Sequence, residues 1–165
     1  MDRVGRPRVL VAGIGNVFRT DDGFGPEVAR RLAALPSPDG VRVVDYGIRG
    51  LHLAYDLLDP WDALVLVDAL PDRGNPGDLV VLEIGDEHLG DGARVDAHGM
   101  DPATVLATLA ALGGRRPART LLVGCRVADI GDGMGLTPAV DAAVDAAVDT
   151  VRTVLTRLLR PAEVV

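Results

Sequence analysis

Four side chains have the types and placement to do chemistry: Asp21, Asp22, Asp68 and His98. The acidic pair follows a glycine turn, Gly13-Ile14-Gly15, that closes the apolar run Val9-Leu10-Val11-Ala12. Asp68 closes a second apolar run, Ala63 to Val67. His98 stands in Asp96-Ala97-His98-Gly99-Met100, just ahead of a helix start. Carboxylates and a neutral imidazole together form an oxygen-and-nitrogen donor set suited to a borderline metal ion. In open α/β folds the carboxyl ends of the strands face the ligand crevice, which is where both acidic groups would lie.

Each residue also has a plain structural reading. Acidic groups at a helix start cap free amides and suit the positive helix end, but one carboxylate is enough and the second is surplus. Asp68 could cap a turn, and His98 could be a loop histidine bonded to backbone. His52, inside a helix, and His88, in a polar loop, read as structural. Gly13-Ile14-Gly15 resembles the opening of a dinucleotide fingerprint, and Asp45 ends a strand as a ribose-binding acid would. However, Phe18 occupies the place of the third glycine, and its bulk would obstruct a pyrophosphate. A response-regulator site would need a lysine ending the fifth strand, and the chain has none. Cys125 could pair with His98 as a nucleophile. Its neighbours Leu121-Leu122-Val123-Gly124 instead mark a small buried residue.

The elements that must position these groups alternate. Strands are expected at Arg8–Ala12, Val41–Asp45, Ala63–Val67, Leu79–Ile84 and Thr120–Val123. Helices are expected at Asp22–Ala34, Gly50–Leu58, from Asp101-Pro102 to Leu112, and from Thr137-Pro138 to about Leu159. Aspartate or threonine followed by proline gives the last two a cap-and-proline start. This alternation predicts an α/β fold, a three-layer α/β/α sandwich around a central, mainly parallel, five-stranded twisted sheet. The 165 residues read as a single domain spanning 1–165.

A net charge of −7 argues against nucleic acid or an anionic membrane as the main partner. One cysteine excludes an internal disulfide and any multi-cysteine metal or iron–sulfur site. No signal-peptide apolar region and no bilayer-length apolar run are present, so the expected location is the cytoplasm.

Five blocks in order carry a family resemblance. They are Gly13-Ile14-Gly15-Asn16, Asp21-Asp22-Gly23-Phe24-Gly25, Leu66-Val67-Asp68-Ala69, Ala97-His98-Gly99-Met100, and Asp129-Ile130-Gly131-Asp132-Gly133-Met134-Gly135-Leu136-Thr137-Pro138. Together they resemble the hydrogenase maturation endopeptidases over almost the whole chain. The resemblance implies a protease that removes the carboxy-terminal extension of a nickel–iron hydrogenase large-subunit precursor after nickel insertion. It implies Asp22, Asp68 and His98 as metal-binding and catalytic residues, acting on nickel supplied by the precursor. Zinc or cadmium would be in vitro substitutes. Asp21 is expected to orient the site from behind. The rival is a non-catalytic nickel-binding assembly chaperone on the same fold. The sequence departs from the family pattern in Asp45-Tyr46-Gly47-Ile48-Arg49-Gly50 and at Arg126 and Val127, loops expected to shape precursor recognition. Arg49 is a candidate for binding a carboxylate of the precursor tail.

Overall fold

The computed structural model describes residues 5–85 and 101–160. Among these residues five strands form one sheet: β1 (Val9–Ile14), β2 (Val41–Gly47), β3 (Ala63–Leu70), β4 (Leu79–Glu83) and β5 (Arg119–Arg126). Their order is β2-β1-β3-β5-β4, parallel throughout except for β4, which runs antiparallel along β5. Helices α1 (Phe24–Ala33), α2 (Gly50–Asp56), α3 (Pro102–Ala111) and α4 (Pro138–Leu158) cover it.

The layering follows from the two-residue period of a strand, which sends successive side chains to opposite faces. Val9 and Val11 of β1, with Val65 and Val67 of β3, pack with Phe24, Val28 and Leu32 of α1 and the apolar stripe of α4. Leu10, Ala12 and Ile14, with Leu64 and Leu66, face the other way onto Leu53 of α2 and Val105, Leu106 and Leu109 of α3. Both faces of the central strands are therefore covered, which explains why they read as continuous apolar runs. The expected α/β architecture with its mainly parallel five-stranded sheet is what the chain forms.

Most elements differ from expectation by one or two residues at their ends, β1 running to Ile14 and β2 to Gly47, and three differences bear on the site. β3 does not end before Asp68. It stays paired with β5 through Asp68↔Gly124 to Leu70↔Arg126, with burial reduced to partial from Asp68 onward. β5 likewise runs on to Arg126. The first helix does not begin at Asp22. Thr20–Gly23 forms a separate 3-10 turn, and α1 starts at Phe24 with Gly23 as its unassisted cap.

The chain leaves β1 to build β2 on one side and then returns to place β3 on the other. The carboxyl ends of β1 and β3 thus flank a point where strand order reverses, the place where open α/β sheets leave a crevice.

Candidate functional site

A cleft of about 650 Å³ opens at this reversal. Gly15, Arg19 and Asp22 line it from the segment after β1, and Asp68 to Asp72 from the end of β3. Asp101 and Pro102 contribute the start of α3, and Val127 to Ile130 the segment after β5. The glycines explain how the first wall is built. A Cβ on Gly15 would collide with the carbonyl oxygen of Asp22, and one on Gly13 with that of Gly25. The space that a dinucleotide fingerprint leaves for phosphate is filled here by the chain's own turn and by α1. Asp45 is also committed locally, accepting the Gly47 N–H at 2.9 Å.

The two adjacent aspartates part company. Asp22 is half-buried in the cleft wall, and its Oδ2 accepts the Asn16 N–H at 2.9 Å. Asp21 is fully buried and turned away from the cleft. Its Oδ1 accepts the Thr137 N–H at 2.7 Å, and its Oδ2 accepts the N–H groups of Ala128 and Asp129 at 2.9 and 3.0 Å. The Thr137 hydroxyl reaches both oxygens. Burial by itself would push the Asp21 carboxyl up, but these donors outweigh it and hold the group below the ordinary aspartate value. Thr137 sits at the cap position of α4 as expected, yet its hydroxyl serves Asp21 and caps nothing.

Asp68 shares the cleft with Asp22. Its Oδ1 accepts the neighbouring Ala69 N–H at 2.8 Å. Burial, followed by the negative charges of Asp22 and Asp101, pushes its carboxyl well above the usual range. Asp101 keeps its capping role, with Oδ1 accepting the Thr104 N–H at 2.7 Å, and also faces the cleft. Asp72 and Asp129 complete five aspartates among the described lining residues, beside one arginine, Arg19. Such a lining favours a cationic guest.

His98 lies outside the described residues, as does His88. Among the described residues no three of His, Cys, Asp and Glu are grouped to hold a metal ion. His52 is exposed, 3.7 Å from Asp56 on its own helix, with its ring edge-on to Tyr46. Cys125 is buried in the core between sheet and α4, and burial pushes its thiol up to about 11, as befits a packing residue. Arg49 is exposed and folds its guanidinium back onto the carbonyl oxygens of Tyr46 and Asp45, and it does not line the cleft. Arg19 and Asp129, which sequence reading did not single out as site residues, do line it. Their only signal was membership of the ordered blocks or proximity to them.

Among the described residues no helix is long and apolar enough to cross a membrane. A family model of hydrogenase maturation proteases matches residues 26–154. The hydrogenase expression/formation protein HupD of Rhodobacter capsulatus is 39% identical over 136 residues, 81% of this chain and 64% of that protein's own length. The hydrogenase 2 maturation protease of Escherichia coli is 31% identical over 137 residues, covering 82% of each chain. The solved structure of the hydrogenase maturating endopeptidase HybD from E. coli superposes with a TM-score of 0.77 at 29% identity, covering 91% of this chain and 93% of that one.

Proposed function

The chain belongs to the hydrogenase maturation protease family, and from that premise we propose that it is an endopeptidase that removes the carboxy-terminal extension of a nickel–iron hydrogenase large-subunit precursor. The observation that carries the reading is the meeting of Asp22 and Asp68 in one acidic cleft at the β1/β3 reversal. The scissile segment of the precursor lies in this cleft, and the nickel ion it carries is part of the substrate.

Two carboxylates with His98 as the third donor fit such an ion, since oxygen and imidazole donors suit a borderline cation. The burial of Asp68 and its repulsion by Asp22 support this, because a cation between the two carboxylates replaces the repulsion with attraction and offsets the cost of burial. Nickel held by the precursor supplies Lewis acidity at the scissile carbonyl. The protein's own groups position it: Asp22 is fixed by the Asn16 amide and Asp68 by the Ala69 amide. A precursor without nickel leaves the acidic pair unneutralised and binds poorly, so the same residues check metal loading. The reading places the reaction in the cytoplasm, before the large subunit closes over its metal site.

The test is intact-mass analysis of nickel-loaded and nickel-free precursor incubated with wild type, Asp68→Asn and His98→Ala. Loss of a carboxy-terminal peptide only with nickel, and only with wild type, supports the reading. Stable binding with no mass loss under any condition favours the assembly chaperone.

A further inference from the structure

The two most exposed large hydrophobic side chains among the described residues are Met134, at 75%, and Phe18, at 63%. They belong to segments far apart in sequence, yet their backbones are neighbours: the Gly133 N–H donates to the Phe18 carbonyl at 2.9 Å. Val17 and Ile130, also exposed, lie on the same two segments, and Ile130 lines the cleft. The apolar rim is therefore continuous in the chain with the cleft wall.

These side chains are not held in water by a loose loop. The Thr20 N–H donates to Gly133 O at 2.9 Å, its hydroxyl to Gly131 O at 2.7 Å, and the Asp21 N–H to Asp129 O at 3.0 Å. Arg19 Nε donates to Ile130 O at 3.2 Å. With the buried Asp21 carboxylate behind them, the segments form one cross-bonded platform. An ordered platform that keeps an aromatic ring and a methionine exposed has already met the ordering cost of binding. Aromatic residues anchor interfaces, and methionine adapts to a partner's shape.

We infer that Phe18 and Met134 form a docking rim for the folded body of the large-subunit precursor, outside the cleft that takes its tail. The inference rests on the proposed function. The size of the cleft identifies the occupant. A space of about 650 Å³ holds only a short piece of chain. A specific protein–protein contact buries roughly 800 Å² on each partner, so most of it must come from surface beside the cleft. The rim is apolar surface continuous with that wall, and an apolar patch on the precursor body beside its tail is its complement.

The experiment measures cleavage of nickel-loaded precursor by wild type, by the double variant Phe18→Ser with Met134→Ser, and by Leu112→Ser as a control. Leu112 is exposed at the end of α3 away from Asp101 and Pro102, which line the cleft. The expected result for the double variant is a rise in KM of at least about tenfold with kcat within about twofold of wild type. Leu112→Ser leaves both unchanged. If the double variant loses its fold, the single variants Phe18→Gln and Met134→Gln carry the same KM test. Unchanged KM in a folded variant, with wild type active, overturns the docking rim alone. A wild type that neither cleaves nor binds precursor overturns the proposed function and the rim with it.

Discussion

Thr137 holds Asp21 twice, through its backbone N–H at 2.7 Å and through its hydroxyl at 2.8 and 2.9 Å. This joint fixes the segment after β5 against the turn after β1, and so sets the two walls of the cleft. Neighbouring aspartates should therefore behave oppositely. Asp21→Asn turns an amide NH2 onto buried N–H donors and should cost about 2–4 kcal/mol. Asp22→Asn can still accept the Asn16 N–H and should cost less than about 1 kcal/mol while abolishing cleavage. Urea denaturation with a precursor cleavage assay on both variants checks the contrast. Equal stability losses would remove the distinction between a structural and a cleft-facing carboxylate.

The same joint makes stability depend on pH. Asp21 binds its proton more weakly when folded than when unfolded, because the donors from Thr137, Ala128 and Asp129 outweigh burial. Its contribution is thus complete above the unfolded value of about 3.9 and is lost as pH falls through the lower folded value. The stability gap between wild type and Asp21→Asn should be constant near neutrality and narrow below about pH 4. Denaturation midpoints at a series of pH values read this directly.

The fold was legible because its signals are local. Apolar runs such as Ala63 to Val67 mark buried strands, and the Asp101-Pro102 start delivers the capping bond it promises. The place of two candidate residues was legible. Asp22 and Asp68 were placed by the rule that strand ends face the crevice, and the cleft contains both. Residue type and spacing alone could not separate Asp21 from Asp22, which only the family resemblance did, because the structural distinction is Thr137, 116 residues away. The extension of β3 past Asp68 was hidden for a similar reason: its cause is the register with β5, not the composition of β3. Arg19 lines the cleft beside the turn at Thr20, a non-glycine residue held at φ 49°, and bonds to Ile130 O across the chain, neither of which composition announces.

Gly25 tests the packing that brings α1 against the sheet. A Cβ there would collide with the carbonyl oxygens of both Ile14, the last residue of β1, and Val67, inside β3. Backbone atoms cannot swing aside as a side chain can. Gly25→Ala should cost about 3 kcal/mol and force α1 away from the two strands. A fall in the denaturation midpoint accompanied by lost cleavage is expected, and an unperturbed midpoint would show that the approach is looser than described.

Asp68 should show a conflict between stability and activity. Its ionised form is disfavoured by burial and by the charges of Asp22 and Asp101, and the single Ala69 bond does not offset them. An asparagine keeps an oxygen for the Ala69 N–H and carries no charge. Asp68→Asn should therefore melt higher than wild type at neutral pH in the absence of metal, while cleavage falls on the order of 10³-fold. A divalent ion reverses the ranking, because binding to the folded state alone adds stability, about 2.7 kcal/mol at a hundredfold excess over Kd. Zinc titrated into both proteins during thermal denaturation should raise the wild-type midpoint and leave the variant's in place. A variant that gains as much from zinc as wild type would place the ion away from Asp68.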